Sequence, residues 1–381
     1  MSVRGERTRV RCFARATAPL LLIACVVGCF ASVAAAAAHG ASVVPPLDRP
    51  AHMTARATQS ALLGIANAGR RLVAVGERGI IVCSDDAGRT WRQSPAPVSV
   101  TLTAIHFATE KEGWAVGHAG VVIHSSDGGE TWRRQLDGVS AAALALQAAR
   151  AQVREAPGDV RARQALAAAE LLVRDGADKP FLDVHFFDAR HGLVVGAYNL
   201  IFATADGGRT WQPLLDRTQN RQALHLYAIA AAGDRLYVAG EEGLLLFSGD
   251  RGATFRRVAV PYHGTFFAAF ARDGGEVVVG GLRGHAYVST DDAATWSALD
   301  VPGDAAIAAI ETTDADRLLI GGESGAYVSD ATRRHFAALA IPRLAPVNAL
   351  TRAFDGAWVI ATMRGVTRVE RSVVVQASGK P

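Results

Sequence analysis

The chain of 381 residues has very little cysteine, four residues in all. Three of them, Cys12, Cys25 and Cys29, stand close to the amino terminus, so the rest of the chain contains only Cys83. A single thiol cannot form an internal disulfide. Cys83 lies in the apolar run IIVCS, which is typical of a small buried residue rather than a nucleophile. The fold must therefore be stabilised by apolar burial without covalent cross-links.

The body of the chain also lacks net charge. The formal charge of +4 comes from residues 1–38, which hold five arginines and one glutamate. Removing them from the totals of 40 basic and 36 acidic residues leaves 35 of each sign. A neutral body argues against nucleic acid or a strongly anionic surface as the partner.

Recognisable catalytic and cofactor motifs are missing as well. The sequence contains no phosphate-binding loop, no nucleophile elbow and no redox CxxC pair. Its eleven histidines are scattered, without carboxylates or cysteines at the spacing of a metal site. We therefore expect neither a cofactor nor a metal.

The amino terminus predicts export. Basic residues precede the short apolar run APLLLIACVVG at 18–28, and small residues follow around Ala36 to Ala38, as in a secretory signal peptide over 1–38. Two alternatives remain open: lipidation of Cys29 or Cys25 in the boxes VVGC and LIAC, or an uncleaved membrane anchor over 18–38. All three place the body outside the cytoplasm, in the periplasm or attached to a membrane. Residues 39–50, with three prolines, suggest an extended linker.

What the chain does contain is a repeat. The octapeptide SSDGGETW at 125–132 has five relatives, and the six copies end at Trp91, Trp132, Trp211, Phe255, Trp296 and Phe336. The last copy is decayed, with Ala331 in place of the aspartate. A second signature of the VGERG type begins at seven places with the same period, at 75, 116, 195, 239, 280, 321 and 361. One period of about 40 residues carrying several short strands indicates a β-propeller.

Each period contains four alternating apolar segments separated by turns rich in Gly and Asp, so we predict an all-β, seven-bladed propeller over residues 59–376. The octapeptide then joins the third and fourth strands of a blade. Its carboxylate accepts N–H groups of its own turn, and its aromatic residue packs on a neighbouring blade. Six copies of one turn are scaffolding, and the structural role falls to Asp86, Trp91, Asp127, Trp132, Asp206, Trp211, Asp250, Phe255, Asp291 and Trp296.

The octapeptide is the Asp-box, or bacterial neuraminidase repeat. Together with VGxxG and phrases such as LTAIHFATEKEGWAVGHAG, it makes residues 55–376 resemble the propellers of the photosystem II stability and assembly factor family. The resemblance implies a non-catalytic, protein-binding propeller that is peripheral to the membrane. Its partner would be a membrane protein or a subunit of a membrane complex: photosystem II in photosynthetic organisms, or an exporter of the resistance-nodulation-division type in other bacteria.

Two segments interrupt the repeat. Residues 140–179 are rich in Ala, Leu, Arg and Glu and predict two antiparallel helices, about 140–155 and 159–175, inserted between blades 2 and 3 over 139–179. Their apolar faces are expected at Leu144, Ala148 and Ala151, and at Leu166, Ala169 and Val173. The insert is either a decoration folded onto the propeller or a docking arm. The seventh unit has no Asp-box, and residues 51–60, within the segment 39–58, are a candidate closing strand for it.

Strand alternation places the insert on the same face as the turns between second and third strands, opposite the Asp-boxes. Polar residues that vary from blade to blade on one face are where propellers usually bind. The expected partner-binding residues are Arg78, His118, Tyr198, Asn199, Glu242, Arg283, Glu323 and Arg364.

The alternative is a glycan-binding propeller or a sialidase-like glycoside hydrolase, since sialidases also carry Asp-boxes. Such an enzyme needs an arginine cluster, an activated tyrosine and an acid, and the Phe/Tyr-Arg-Ile-Pro motif that accompanies them has only the poor match PLDRP at 46–50. Arg78, Arg283 and Arg364 could converge, but Tyr287 and Tyr327 occupy strand positions that packing explains. A purely structural lipoprotein scaffold is the third possibility. We expect no enzyme activity.

Overall fold

The computed structural model describes residues 44–378. The predicted signal peptide, the candidate lipidation sites Cys25 and Cys29, and residues 39–43 of the linker lie outside the described residues. Within them the chain forms seven antiparallel sheets, six with four strands and one with three, each built from strands consecutive in sequence. This is the seven-bladed propeller that the repeat predicts.

The strands follow one another blade by blade. Blades 1 and 2 contain β1 Leu62–Ala68, β2 Arg71–Gly76, β3 Ile81–Ser84, β4 Arg92–Ser94, β5 Leu102–Phe107, β6 Gly113–Gly117, β7 Val121–Ser125 and β8 Arg133–Leu136. Blades 3 and 4 contain β9 Phe181–Phe186, β10 Gly192–Gly196, β11 Ile201–Thr204, β12 Gln212–Pro213, β13 Leu226–Ala232, β14 Arg235–Gly240, β15 Leu245–Ser248 and β16 Arg256–Val258. Blades 5 to 7 contain β17 Phe266–Arg272, β18 Glu276–Gly281, β19 Ala286–Ser289, β20 Ser297–Leu299, β21 Ile307–Thr312, β22 Leu318–Gly322, β23 Gly325–Ser329, β24 Phe336–Ala338, β25 Val347–Arg352, β26 Trp358–Thr362 and β27 Gly365–Val369.

The core lies between blades rather than within them. The second strand of a blade has neighbours on both faces, and β6 and β10 are buried at every residue, which is why they read as continuous apolar runs. Trp114 of blade 2 stacks on Phe186 of blade 3 with ring centroids 3.5 Å apart. Burying a large apolar side chain of this kind stabilises the fold by about 1.5–3 kcal/mol. Cys83 belongs to the same inter-blade core, at 1% exposure.

The first glycine of the VGxxG signature is required by a close backbone approach. A Cβ atom added to Gly76 would lie 2.0 Å from the carbonyl oxygen of Ala61, and one added to Gly117 would lie 2.2 Å from that of Thr101. A Cβ atom does not fit at such a distance, so six blades have glycine here, and blade 7 has Thr362 instead. The signature thus marks the point where the end of the second strand meets the chain entering the same blade.

The ring closes without the expected strand. Residues 51–60 contain no strand but a single 3-10 turn at Ala57–Gln59, because this segment is bonded to blade 1: Ala51 N–H donates to Ala96 O over 3.0 Å, and Thr54 N–H to Gln93 Oε1 over 2.8 Å. Blade 7 is joined to blade 1 by packing around Val359 and Leu72.

Two further segments complete the ends. Helix α3 of the final segment, Arg371–Ser378, follows β27 and buries Val374 and Ala377 against blades 6 and 7. The described part of the linker, residues 44–50, is held on the propeller, since Ser99 N–H donates to Pro46 O and Arg134 to Leu47 O, both over 2.8 Å.

The insert forms the predicted hairpin, α1 Gly138–Glu155 and α2 Val160–Asp175, capped by Asp137 and Asp159. The buried positions differ from the prediction. In α1 they are Ala141, Ala142, Ala145 and Ala149, one residue away from the expected Leu144 and Ala148, and Leu144 packs half-buried against the same cluster. In α2 Ala169 is buried as expected, but Val173 is 45% exposed. None of the helices within residues 44–378 has the length and apolarity to cross a bilayer.

Candidate functional site

One face of the propeller is defined by a hydrogen bond that recurs in every blade. The first residue of the turn between the second and third strands donates its N–H to the carbonyl that precedes the first strand, as from His118 to Thr101 over 2.9 Å and from Glu241 to His225 over 3.2 Å. These bonds bring the second-to-third-strand turns and the connections entering each blade to one end. We call this end the turn face, and the opposite end, with the Asp-boxes, the Asp-box face.

All eight predicted partner-binding residues lie in turns of the turn face. Four are the middle residue of a 3-10 turn with positive φ: Arg78, Tyr198, Glu242 and Arg283. His118 begins such a turn, and Glu323 and Arg364 lie in the tighter hairpins of blades 6 and 7. Asn199 differs from the others, because it is 6% exposed and its Nδ2 donates to Leu215 O over 2.9 Å. Its side chain holds a loop in place.

The aspartates of the Asp-boxes are fully engaged in their own turns. Asp86 accepts the Thr90 N–H over 2.8 Å and the Thr90 hydroxyl over 2.6 Å, which lowers the pKa of its carboxyl to about 2. Asp127, Asp206, Asp250 and Asp291 bind the threonine four residues later in the same way. In the decayed sixth copy, Asp330 accepts a hydrogen bond from the hydroxyl of Thr332.

The aromatic residue that ends each Asp-box packs on the preceding blade. Trp132 of blade 2 lies in the cluster around Val73 and Val75 of blade 1, and Phe255 of blade 4 lies against Leu193 of blade 3. Trp91 of blade 1 packs on blade 7 and so helps to close the ring.

Several salt bridges cross blade boundaries near the Asp-boxes, whereas five charged residues of the second-to-third-strand turns form none within residues 44–378. Near the Asp-boxes, salt bridges cross blade boundaries from Arg71 to Glu130 and from Arg89 to Asp355, each over 2.8 Å. Similar pairs join Arg235 to Asp292, Arg272 to Asp316 and Arg333 to Glu276. Among residues 44–378, by contrast, no salt bridge involves the turn residues Arg78, Glu242, Arg283, Glu323 and Arg364.

Exposed apolar side chains accompany these free charges. Tyr198 is 51% exposed, Leu282 41% and Met363 49%, and all three lie in second-to-third-strand turns. On the opposite face, the exposed ring of Phe354 is covered by the guanidinium of Arg70, 4.0 Å from its centroid. The turn face therefore combines unpaired charge with accessible apolar surface.

The base of the insert lies at the turn face. A Cβ added to Gly120, in the turn of blade 2, would lie 2.6 Å from the Cα of Gly138 at the start of α1. After α2, the Nζ atom of Lys179 lies 5.2 Å from the centroid of the Tyr198 ring. The insert thus stands between the turns of blades 2 and 3, as the connectivity predicts.

Strongly shifted pKa values occur elsewhere, in the first strands around the central axis. Burial raises the pKa of Asp183 to about 7 and lowers that of His106 to about 3. Such shifts often mark active sites. Here both side chains accept backbone N–H groups on the open edge of the next blade, Asp183 from Ile229 over 2.7 Å and His106 from Phe186 over 3.3 Å. They join neighbouring blades.

Sequence reasoning missed Asp183, although the repeat carries a signal for it. Asp183 is the third residue of its blade's first strand, where the other six blades have only glycine or alanine, at Gly64, Ala104, Ala228, Ala268, Ala309 and Ala349. A lone carboxylate in a column of small residues indicates a special local contact.

The residues considered for a sialidase are spread over the ring. Arg78, Arg283 and Arg364 belong to the turns of blades 1, 5 and 7. Tyr287 and Tyr327 are half-buried in β19 and β23, and the Tyr327 hydroxyl donates to Ser324 over 3.1 Å. Within the described residues there is also no group of three or more His, Cys, Asp or Glu side chains that could hold a metal ion.

The family model of the photosynthesis system II assembly factor YCF48 matches residues 53–160 and 165–365, most of the propeller. The chain belongs to the YCF48 family. The resemblance inferred from the Asp-box and VGxxG signatures is thereby confirmed. Among curated proteins, the photosystem II assembly lipoprotein Ycf48 of Synechococcus sp. (strain CC9902) is 35% identical over 77 residues, which is 20% of this chain and 23% of that relative.

Solved structures agree on the fold. A structure of YCF48 bound to a D1 peptide has a TM-score of 0.59 at 14% identity and covers 84% of this chain and 95% of its own. The WD40 β-propeller domain of Doa1 reaches a TM-score of 0.60 at 8% identity, covering 86% and 98%. Since a WD40 domain fits as well as a YCF48 structure, this likeness shows the propeller alone, and family membership rests on the sequence model.

Proposed function

We propose that this YCF48-family member is an exported, non-catalytic propeller that binds a membrane protein, or a subunit of a membrane complex, at its turn face and assists assembly or stability of that complex. The observation that carries the proposal is the charge asymmetry of the two faces. Several charged residues near the Asp-boxes pair with each other across blades, whereas the five turn residues named above have no salt-bridge partner among the described residues.

The composition of the turn face fits a protein partner. Tyr, Met and Arg are enriched in protein–protein interfaces, and Tyr198, Met363, Arg78 and Arg364 are exposed here. A complementary partner would pair the free charges while covering the apolar side chains. The propeller shape itself does not indicate the kind of partner, because proteins with the same fold bind unrelated molecules.

The relatives suggest the kind of client. One solved YCF48 structure contains a D1 peptide, and the curated relative is described as a photosystem II assembly lipoprotein. From these relatives we infer that this chain binds a membrane protein and is exported. Lipidation at Cys29 or Cys25 is the alternative to signal-peptide cleavage. Photosystem II and an exporter of the resistance-nodulation-division type are the two client classes to be separated by experiment.

The test is affinity capture from detergent-solubilised membranes of the source cells, read by mass spectrometry. The intact protein should recover a membrane protein, and the double variant Arg78→Ala/Arg364→Ala should recover much less. Arg209→Ala/Arg334→Ala is the matched control, since both arginines are exposed, lie in Asp-box turns and form no salt bridge among residues 44–378. Equal recovery by both double variants would contradict a turn-face interface. Empty recovery by the intact protein, together with hydrolysis of a fluorogenic sialoside, would favour the glycosidase alternative.

The docking-arm hypothesis needs a variant that preserves the core. Deleting the whole insert would uncover blade 3, because Ala141, Ala145 and Ala149 pack there with Phe181. Leu171, which is 43% exposed on α2, can instead be replaced with glutamine without disturbing that contact. Loss of the captured partner in Leu171→Gln would assign the arm to the interface, and unchanged capture would leave the insert a decoration.

A further inference from the structure

Four aromatic rings form a continuous row across the turn face between blades 3 and 5. The Tyr198 ring lies 4.6 Å from that of His225, His225 lies 6.1 Å from Tyr227 and nearly parallel to it, and Tyr227 lies 5.1 Å from Phe267. We call these residues the aromatic row. Its outer end, Tyr198, is half-exposed, and its inner end reaches the first strand of blade 5.

Two residues of the aromatic row, Tyr227 and Phe267, occupy a position with irregular backbone pairing in every blade. Each first strand has a β-bulge at its second residue, near the turn face, and bulges redirect side chains near functional sites. The seven bulge residues are Leu63, Thr103, Leu182, Tyr227, Phe267, Ala308 and Asn348. Only blades 4 and 5 have aromatic residues there.

The bulge residues of two other blades have structural roles that Tyr227 lacks. The Thr103 hydroxyl donates to Phe181 O over 2.8 Å, and Asn348 Nδ2 donates to Leu62 O over 2.8 Å, so both join adjacent blades. The Tyr227 hydroxyl has no hydrogen-bond partner among residues 44–378. Similarly, Ala119 fills in blade 2 the positive-φ turn position that Tyr198 fills in blade 3, so the turn itself does not require an exposed aromatic ring.

Carboxylates accompany the row. Glu241 Oε2 accepts both the N–H and the Nδ1 of His225 over 2.7 Å, while its Oε1 is free of hydrogen bonds from residues 44–378. Glu242 follows in the exposed turn, where Gln222 donates to it over 3.4 Å. The negative charge of Glu241 reaches the row, since burial and then Glu241 raise the pKa of Tyr227.

The row already contacts one cation of its own chain. Lys179 Nζ lies over the Tyr198 ring, but Asp175 and Asp178 neutralise it at 3.1 and 2.6 Å. Aromatic faces next to carboxylates that still have a free oxygen favour a positively charged side chain, and arginine above all, because its guanidinium stacks on rings and donates to carboxylates at once. We propose that the aromatic row, with Glu241 and Glu242, is the subsite that receives an arginine side chain of the partner protein.

This inference rests on the proposed function, and its first test does not need the partner. Two peptides serve as probes, acetyl-Gly-Leu-Arg-Leu-Gly-amide and the same peptide with citrulline, a neutral isostere of arginine. Binding is followed by the ¹⁹F signals of fluorotyrosine-labelled protein. We expect the arginine peptide to shift the Tyr198 and Tyr227 signals and to bind about tenfold more tightly than the citrulline peptide.

Three variants locate the effect. Tyr198→Ala, which adopts the residue that blade 2 uses, and Glu242→Gln should each weaken the arginine peptide severalfold. Glu323→Gln, which neutralises an equally exposed turn carboxylate in blade 6, should leave it unchanged. Any of three results would overturn the subsite. The arginine and citrulline peptides could bind equally tightly, the arginine peptide could fail to bind at millimolar concentration, or Glu323→Gln could weaken its binding as much as Glu242→Gln does.

Membrane capture separates this inference from the proposed function. A partner that is captured by the intact protein and lost in Tyr198→Ala/Glu242→Gln supports both. Capture that survives this double variant but fails in Arg78→Ala/Arg364→Ala leaves the proposed function standing and refutes the arginine subsite. If nothing is captured while the arginine peptide still binds selectively, the subsite stands and the proposed function fails.

Discussion

Replacing Asp183 with asparagine should change how the stability of the propeller depends on pH. The Asp183 carboxyl lies half-buried in the first strand of blade 3 and accepts the N–H of Ile229 from blade 4 and that of Val184. Burial raises its pKa from 3.8 to about 7. The folded state therefore holds a proton that the unfolded chain has lost over this range. Its favourable contribution is complete below pH 3.8 and disappears as the pH rises through about 7.

The magnitude follows from the shift. At about 1.4 kcal/mol per pH unit, a rise from 3.8 to about 7 corresponds to about 4 kcal/mol between the two ends of the range. Asparagine is uncharged throughout and can still accept one N–H group. The free energy of unfolding of the variant, minus that of the parent, should therefore increase by up to about 4 kcal/mol between pH 4 and pH 8.

Urea denaturation at several pH values across this range measures the effect. The half-buried histidines His106 and His185, whose pKa values are lowered to about 3 and about 4 by loss of hydration, act in the opposite direction. Their contribution cancels in the difference between the two proteins. Asp304→Asn, at an exposed carboxylate, is the matched control. Parallel pH profiles for Asp183→Asn and the parent would refute the argument that the Asp183 carboxyl keeps its proton in the folded state up to about pH 7.

Three other substitutions test the packing. Trp114→Ala, which removes a fully buried indole stacked on Phe186, should lower the free energy of unfolding by about 3–5 kcal/mol in urea denaturation, and a loss below about 1 kcal/mol would contradict the inter-blade core. Gly76→Ala should destabilise the fold by more than Gly158→Ala, measured by thermal denaturation, because only at Gly76 would the new Cβ meet a carbonyl oxygen. Trp132→Phe should cost about 1 kcal/mol more than Trp211→Phe, since Trp132 Nε1 donates to Gly129 O over 3.1 Å whereas Trp211 Nε1 is buried without a partner; equal losses would show that the indole hydrogen bond contributes nothing.

The repeat made most of the architecture predictable. Seven copies of the VGxxG-type signature fix the blade count, since the first glycine of six copies, replaced by Thr362 in the seventh, stands at the same point of its blade. The six Asp-boxes fix the turns on the opposite face. The helical insert was equally predictable from the sequence, because Asp159 and the preceding Pro157 and Gly158 mark the helix boundary that the structure shows. These features depend on local chemistry, which the sequence carries directly.

Contacts between segments distant in sequence were not predictable in the same way. Residues 51–60 have a composition compatible with a strand, but Ala51 and Thr54 are hydrogen bonded to Ala96 and Gln93 of blade 1. The end of the segment approaches blade 7 without pairing as a strand, since a Cβ added to Gly365 would lie 1.9 Å from Thr58 O. The buried face of α1 is centred one residue away from the expected face, on alanines that pack in the cluster around Phe181. Both outcomes depend on the shape of a surface that exists only once the ring has formed.

The candidate site lies between these cases. Topology alone placed the eight turn residues on one face, and seven of them are exposed there. Sequence could not show that Asn199 turns inward, nor that Tyr198, His225, Tyr227 and Phe267, spread over 70 residues of chain, come together as one row. A propeller repeats its scaffold and varies its turns, so the residues that break the repeat are informative in two different ways. Asp183 breaks it inside the ring and answers a local need of the backbone, whereas the aromatic row breaks it at the surface, where neither the bulge nor the turn requires an aromatic side chain.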